Sequence, residues 1–363
     1  MRIKNIAVTV IVFVFITALS VLAWIKPSDE FSISERRYLT QFPDVSFNTI
    51  ISGRFMKNFE DYSLDQFPGR EIFRSIKAKT EISLLKKSEN NDVFEKNGFL
   101  SKSEYPLNKE SITYASEKFR DVYEKYLKDT DTRLYFSIIP DKSYYLICDD
   151  KNHLSLDYES LVTEITSETE YMKYIDIFSE LSIDDYYKTD SHWRQEKIVP
   201  VAKKIAKEMG VSLRGEYEKI ALDKGVYGVY YGQYALPLSS EPMYFLMNDD
   251  IKNATVYDYS KNFDVYDLSK GYGRDPYEAF LGGALSLVTI ENENASTDKE
   301  LVMFRDSFGS SIAPLFIEGY KKITLVDIRY IHPDMMDEFI KFNNQDILFL
   351  YSTSVLNNSE TLK

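Results

Sequence analysis

Leu301-Val302-Met303-Phe304-Arg305-Asp306-Ser307 is the stretch that decides the fold class. Four consecutive apolar residues are typical of a strand that is buried on both faces, and the polar residues after them mark its end. A helical pattern follows at 311–320. A continuous apolar strand that leads directly into a helix is the repeating unit of a parallel sheet covered by helices.

The same unit recurs elsewhere in the chain. Apolar strands are predicted at 134–139, 174–178, 301–304, 323–326 and 347–351. Helices are predicted from apolar periodicity and terminal signals at 109–128, 195–209, 311–320 and 333–342. The sequence therefore predicts an α/β fold with a parallel sheet flanked by helices.

Residues 211–300 interrupt this alternation. The stretches 227–234 and 271–287 mix aromatic residues and glycines without a helical period. We interpret the segment as a mostly β insertion. Exposed aromatic rings there would suit stacking on sugars, but tyrosine is equally an ordinary half-buried strand residue, and the pattern leaves both alternatives open.

The N-terminus predicts a membrane anchor. Ile6 to Ile25 is a run of twenty uncharged residues that follows Arg2 and Lys4. As a helix this run would span about 30 Å, enough to cross a bilayer core. A cleaved signal peptide is the alternative, although its apolar region is normally about 7–15 residues long. The prediction is a single-pass cell-membrane protein with its remaining chain outside the cytoplasm.

Three regions follow from these patterns. Residues 1–26 are the predicted anchor, 27–100 a stalk with a helical N-terminal region, and 101–363 the α/β domain with the insertion at about 211–300. The first helical region is interrupted at 66–70 by proline and glycine, and Asn97-Gly98 predicts a hairpin.

Composition excludes one class of partner. The net charge of −13 argues against a nucleic-acid binder, which would need a basic face. Cys148 is the only cysteine, so no disulfide can form within the chain. Hydrophobic residues make up 44% of the sequence, enough for a large core.

The residue types that can carry chemistry lie near predicted strand ends, where working groups gather in parallel sheets. Asp190 precedes His192 by two residues, and a carboxylate at that spacing can accept the imidazole Nδ1 proton. Nε2 is then free to take a proton from a nucleophile. Ser307 is the best candidate nucleophile, because a strand-to-helix turn exposes both its hydroxyl and backbone N–H groups.

Structural alternatives exist for each residue. Asp-x-His recurs by chance, and Ser307 could simply cap a helix. The chain has no Gly-x-Ser-x-Gly elbow, which argues against an ordinary α/β-hydrolase. His153 and His332 are interpreted as structural or exposed. No second histidine or cysteine lies at ligand spacing from His192, so we predict no metal site and no cofactor.

Several motifs, in this order along nearly the whole chain, resemble the bacterial DHHW family. They are Ser34-Glu35-Arg36-Arg37, Asp65-Gln66-Phe67-Pro68-Gly69-Arg70, Pro140-Asp141-Lys142, Tyr187-Lys188-Thr189-Asp190-Ser191-His192-Trp193, Arg305-Asp306-Ser307-Phe308-Gly309 and Asp327-Ile328-Arg329-Tyr330. That family is similar to the alginate O-acetyltransferases of the AlgJ and AlgX type, within the SGNH hydrolase superfamily. The resemblance implies an SGNH-like parallel sheet.

The resemblance also implies roles for particular residues. Ser307 would be the nucleophile, His192 the general base and Asp190 its orienting carboxylate. Ser191 stands where the family's name pattern has its first histidine. Candidates for oxyanion stabilisation or substrate binding are Arg329, Gly309, Tyr187 and Trp193, with pairing to Asp327 as the competing role of Arg329.

The function implied is an extracytoplasmic O-acetyltransferase that acts on a cell-envelope or secreted polysaccharide. The acetyl donor would be delivered by a membrane acyltransferase partner. Two alternatives remain: a carbohydrate acetyl esterase with the same three residues, and a non-catalytic polysaccharide-binding or assembly protein.

Overall fold

The computed structural model of this chain describes every residue except Met1, Ile33, Lys151, Asn152 and Ser296. The chain divides into two compact units. The first comprises residues 1–91 with 231–238, and the second comprises residues 92–230 with 239–363. The sequence did not predict that residues 231–238 belong with the N-terminal region.

The first unit is mainly helical. Its elements are α1 (Arg2–Ile25), β1 (Phe31–Ser32), β2 (Arg37–Tyr38), α2 (Phe47–Ile51), α3 (Arg54–Asp65), α4 (Arg70–Lys79), a π-helical turn (Thr80–Leu84) and β3 (Glu89–Asn90). The predicted break at 66–70 lies between α3 and α4 and is confirmed. Gly69 adopts φ +71° there, a left-handed conformation that favours glycine.

α1 is long and apolar enough to cross a membrane. Its segment Ile3–Ile25 has a mean hydropathy of 2.8, and none of it is buried within the protein. These properties fit the predicted single-pass anchor, and a signal sequence would share them.

The second unit alternates strands and helices. Its strands are β4 (Val93–Lys96), β5 (Phe99–Lys102), β6 (Arg133–Ile139), β7 (Lys173–Tyr174), β8 (Glu218–Ala221), β9 (Tyr244–Met247), β10 (Thr255–Tyr257), β11 (Asn262–Phe263), β12 (Leu287–Glu291), β13 (Glu300–Arg305), β14 (Lys322–Val326) and β15 (Asp346–Ser352). Its α-helices are α5 (Lys109–Val122), α6 (Ser143–Ile147), α7 (Tyr158–Glu168), α8 (Val199–Glu208), α10 (Asp249–Asn253), α11 (Gly309–Ile312) and α12 (Thr353–Asn357). A further helix, α9 (Val229–Tyr234), begins in the second unit and ends in the first.

Eight of these strands form the main sheet, in the order β11-β10-β12-β14-β13-β15-β6-β7. The strands from β14 to β7 are parallel to one another. The strands β12, β10 and β11 continue the sheet in antiparallel fashion at one edge. The predicted α/β fold with a largely parallel sheet is confirmed.

Alternate residues of the central strands enter two separate cores, which is why these strands read as continuous apolar runs. Leu301 and Met303 pack on one face with side chains of α8, whereas Val302 and Phe304 pack on the other with side chains of α5 and α7. Both faces are therefore covered by helices.

The segment 211–300, predicted as a mostly β insertion, is partly continuous with the main sheet. β8 and β9 pair only with each other, but β10, β11 and β12 extend the main sheet. Much of the remaining segment is irregular or 3₁₀-helical. The sequence did not predict that strands of this segment would form an antiparallel edge of the main sheet.

Several predicted helices and strands are shorter in the structure. The helix predicted at 311–320 consists of α11 and a 3₁₀ segment from Ala313 to Gly319, because Pro314 cannot donate an α-helical hydrogen bond. A 3₁₀ segment, Pro333–Glu338, replaces the helix predicted at 333–342. The strand predicted at 174–178 is the two-residue β7.

Candidate active site

Ser307 lies in the sharp connection between β13 and α11. The Gly309 N–H closes this turn by donating to the Asp306 carbonyl over 3.1 Å. The buried Asp306 carboxylate accepts the N–H of Phe308 at 3.0 Å and of Ser352 at 2.8 Å. One carboxylate therefore fixes the turn against the end of β15, at the carboxyl edge of the parallel strands.

Gly309 is required by close packing. A Cβ at this position would lie 2.6 Å from Cβ of Arg305 and 2.8 Å from its Cγ. The guanidinium of Arg305 is itself buried and lies 3.5 Å from the Asp327 carboxylate, so this side chain cannot swing away. Gly309 was predicted as an oxyanion or substrate residue, and in the structure its position is explained by this contact.

Substituting Gly309→Ala is expected to destabilise the fold by about 1–3 kcal/mol, the usual cost of overpacking a closed core. Thermal unfolding of the variant measures this cost directly. An unchanged unfolding temperature would show that the turn has more room than the contact with Arg305 allows.

The ring of His192 links Ser307 to Asp190. His192 Nε2 lies 2.7 Å from Ser307 Oγ, and its Nδ1 lies 2.6 Å from Asp190 Oδ1. The carboxylate can only accept at Nδ1, so Nδ1 carries the proton and Nε2 faces the serine hydroxyl as an acceptor. This arrangement can draw the hydroxyl proton onto the imidazole.

Asp190 is held in place from two directions. Its Oδ1 also accepts the backbone N–H of His192 at 3.2 Å, and its Oδ2 accepts the N–H of Val229 at 2.9 Å. Only 6% of the residue is exposed. Both carboxylate oxygens are therefore committed, and the imidazole is oriented by a carboxylate that cannot rotate freely.

Glu241 holds the backbone just before Asp190. Its carboxylate accepts the N–H groups of Lys188 and Thr189 at 2.8 and 2.9 Å, and the Thr189 hydroxyl at 3.0 Å. The Thr189 Oγ1 in turn accepts the Gly228 N–H at 2.8 Å. A Cβ on Gly228 would lie 2.3 Å from the Asp190 backbone, so only glycine permits this approach.

Tyr277 forms a wall beside the imidazole. Its ring stacks on that of His192 with centroids 3.8 Å apart and planes inclined by 10°. The Tyr277 hydroxyl lies 2.6 Å from Ser311 Oγ, which also accepts the Trp193 Nε1–H at 2.8 Å. The sequence did not predict Tyr277, because nothing in its own segment reveals a partner 85 residues earlier.

Lys142 stabilises the loop formed by residues 187–190. Its buried ammonium donates to the carbonyls of Tyr187 at 2.9 Å, Lys188 at 3.2 Å and Asp190 at 2.6 Å. Burial lowers the pKa of Lys142 to about 7, against the opposing attraction of Asp190 and Glu241. Three carbonyls match the three N–H groups of the charged form.

The Ser307 N–H remains available as a backbone donor beside the serine hydroxyl. It has no acceptor within the described residues, whereas the N–H groups of Phe308 and Gly309 are used by Asp306. The sequence predicted that this strand-to-helix turn would expose several backbone N–H groups. The N–H groups of Phe308 and Gly309 instead serve the turn itself.

Three other predicted residues make no hydrogen bond to the Ser307 hydroxyl within the part of the chain that the structure describes. Arg329 donates from Nε and Nη2 to the Asp327 carboxylate at 2.9 and 2.7 Å, so the structure shows the competing role. Trp193 is fully buried, and 2% of Tyr187 is exposed. A substrate-binding role for these two aromatic rings is not supported, because both lie in the core.

A cavity of about 170 Å³ opens beside Ser307. Its polar lining comprises Ser101, Lys102, Glu104, Asp141, Ser191, Tyr230, Ser352 and Ser354. Lys142 and Asp306 also line it, but their charged groups are already hydrogen-bonded to backbone. The Glu104 carboxylate accepts from Ser354 Oγ at 2.7 Å and from Asn358 Nδ2 at 3.0 Å. Burial, and the neighbouring Asp141, raise the pKa of Glu104.

Comparisons with known proteins support the fold. No family model and no curated protein matches the chain. A DHHW family protein from Eubacterium siraeum has 19% identity and a TM-score of 0.60, over 75% of this chain and 95% of that one. Bacillus cereus PatB1, solved with a sulfonyl adduct, has 18% identity and a TM-score of 0.58, over 73% of this chain and 97% of that one.

The O-acetyltransferase domain of Pseudomonas putida AlgJ also matches, over 73% of this chain and 92% of that domain. Its TM-score of 0.42 and identity of 10% are too low to support the fold assignment further. The first two structures show that this chain shares the fold of a DHHW family protein, and the predicted resemblance is confirmed at that level.

Proposed function

We propose that this protein transfers acetyl groups to a cell-envelope or secreted polysaccharide through Ser307, with His192 as general base and Asp190 as its orienting group. The observation that carries the proposal is the continuous relay from Ser307 Oγ through His192 to Asp190, with links of 2.7 and 2.6 Å. Both distances lie within the reach that proton transfer needs.

In the first step, His192 Nε2 accepts the Ser307 proton while Oγ attacks the carbonyl carbon of the acetyl donor. The tetrahedral intermediate collapses when the bond to the leaving group breaks, and that group takes the proton from the imidazolium. The product is an acetyl ester on Ser307. Asp190 stabilises the transient positive charge on His192 throughout.

In the second step, a sugar hydroxyl enters and gives its proton to His192 Nε2. Its oxygen attacks the acetyl-serine carbonyl, the bond to Oγ breaks, and Oγ recovers the proton. The hydroxyl, carboxylate and ammonium groups that line the cavity suit an acceptor with many hydroxyls. The Ser307 N–H would donate to the oxyanion in both steps, a contribution of about 3–4 kcal/mol per donor.

The proposal locates this chemistry at a membrane. An uncleaved α1 would tether the protein as a single-pass membrane protein with its main domain outside the cytoplasm. Acetyl donors made inside the cell would then have to cross the bilayer. A membrane acyltransferase partner that delivers the acetyl group is therefore part of the proposal.

An assay of the purified full chain in detergent, with an activated acetyl ester and polysaccharide acceptors, tests the proposal. Labelling of the acceptor supports transfer. Release of acetate that acceptors do not reduce would assign the esterase alternative. If Ser307→Ala behaves like the parent in both measurements, both enzymatic functions fail and a binding or assembly role is left.

Lys142→Met is expected to lower kcat by about 10–100-fold, because a misplacement of roughly 1 Å in a catalytic group can cost that much. The rate of the parent enzyme should also decline as the pH rises through about 7, where Lys142 loses the proton that completes its three hydrogen bonds. That decline should be absent in the variant.

Lys188→Met is the matched control, because this lysine is exposed and lies two residues before Asp190. The control variant should retain the parent's rate and pH dependence. A Lys142→Met enzyme with the parent's rate and pH profile would show that the buried ammonium does not position Asp190.

A further inference from the structure

Large apolar side chains lie exposed along α2, α3, α4 and the π-helical turn after them. The most prominent are between 64% and 79% exposed: Phe47, Ile51, Met56, Leu64, Ile72 and Leu84. We call these residues, together with Phe73 and Ile76, the apolar helical surface. Apolar area of this extent on helices usually marks a site of contact with a membrane or a partner.

These helices bury almost nothing within the protein. α2 has no buried residue, α3 buries only Asp65, and α4 buries only Ala78. In α4, Ile72, Phe73 and Ile76 have the i, i+1, i+4 spacing of one helix face. Short helices in water depend on packing of such a face for their stability, so a surface outside the chain is expected to cover it.

Charge distinguishes this region from the rest of the protein. Residues 47–87 contain eight Lys or Arg and five Asp or Glu, a net charge of +3, whereas the whole chain carries −13. Lys57, Lys79, Lys86 and Lys87 are exposed in the same stretch of sequence. Apolar residues flanked by lysines are the pattern of helices that lie in the interface of an anionic membrane.

The apolar helical surface is tied to the end of the predicted membrane span. Gln66, at the C-terminus of α3, accepts the Asp29 N–H at 2.9 Å and donates to the Asp29 carbonyl at 2.8 Å. The Ser28 and Tyr62 hydroxyls are 3.4 Å apart. α1 ends at Ile25, so α3 is hydrogen-bonded to the chain three or four residues after it.

We propose that α2, α3 and α4 dock on the surface of the membrane that α1 crosses, with the apolar helical surface in the lipid interface and the flanking lysines on anionic headgroups. Continuity with α1 and the local positive charge favour lipid over a protein partner. Helices of this kind bury their apolar face about 5–10 Å into the headgroup and acyl boundary. The proposal does not depend on the chemistry of Ser307.

Lipid quenching of a fluorescent label tests this docking. In a Cys148→Ser background of the full chain, a single cysteine is placed at Ile76 (I76C) or, as the matched control, at exposed Glu110 in α5 (E110C), and each is labelled with an environment-sensitive dye. The proteins are reconstituted in vesicles of phosphatidylcholine and phosphatidylglycerol that contain spin-labelled lipid. Thermal unfolding confirms that each labelled protein is folded.

Quenching at position 76 is expected to exceed that at position 110 several-fold, and to weaken when phosphatidylglycerol is left out. Equal quenching at the two positions would overturn the proposal. Crosslinking of position 76 to a protein in cell membranes, with no quenching in vesicles, would also overturn it and would assign the surface to a protein partner.

Discussion

Replacing Ser307 by alanine is expected to lower kcat on the order of 10⁶-fold, the loss measured when a nucleophilic serine is removed from a catalytic triad. The variant keeps the backbone turn, because the hydrogen bonds of Asp306 and Gly309 do not involve the Ser307 hydroxyl. What it loses is the hydroxyl oxygen that lies 2.7 Å from His192 Nε2, the proposed nucleophile. The rate with an activated acetyl ester measures the effect.

Ser310→Ala, three residues further along in α11, is the matched control and should keep the parental rate. Thermal unfolding should be nearly unchanged in both variants. A Ser307→Ala protein that still forms acetylated product at more than a small fraction of the parental rate would show that another group accepts the acetyl.

Replacing Asp190 by asparagine is expected to lower kcat by about 10⁴-fold, the cost of holding the imidazole in the wrong tautomer. Asparagine offers one oxygen where the carboxylate accepts three N–H groups, the ring and backbone N–H of His192 and the backbone N–H of Val229. If that oxygen faces Val229, the amide NH₂ faces His192 Nδ1. The imidazole then carries its proton on Nε2 and cannot accept the Ser307 proton.

Asp185→Asn is the control for this substitution. Asp185 is a carboxylate of the same segment that accepts hydrogen bonds from Ser182 and lies outside the relay. The kcat of the Asp185→Asn variant should match that of the parent. If Asp190→Asn loses less than about tenfold in kcat, Asp190 does not set the tautomer as the triad model requires.

The core of the fold could be predicted because the sequence of its central strands indicates that both of their faces are buried. Leu301 to Phe304 alternate between two apolar cores, and a strand buried on both faces reads as a continuous apolar run. The strand predicted at 174–178 is only the two-residue β7, and the antiparallel edge formed by β10 to β12 was not predicted. Their residues are too few, or too mixed, to distinguish a sheet edge from a loop.

The relay could be predicted for a similar reason. Asp190 and His192 are two residues apart, and Ser307 directly follows a strongly apolar strand. The local sequence therefore singles out each of these three residues. The supporting residues give no such local signal. Lys142, Glu241 and Tyr277 meet the loop only after folding, and the relevant spacings of 48, 52 and 85 residues reflect tertiary contact.

Arg329 shows the opposite case. It was a candidate for the oxyanion because arginine can donate to developing negative charge, but Asp327, two residues earlier, accepts hydrogen bonds from its Nε and Nη2. Pairing within one turn outcompetes a distant site. A cation next to a carboxylate in sequence is therefore a poor candidate unless a second anion needs it.

Covalent labelling with a small sulfonyl fluoride, followed by mass spectrometry of the digested full-length protein, tests the central claim most directly. A hydroxyl activated by His192 should displace fluoride and form a stable sulfonyl ester. We expect one adduct per chain on Ser307, absent from Ser307→Ala and strongly slowed in His192→Ala. Labelling on another residue, or equal labelling of Ser307 with and without His192, would contradict the account.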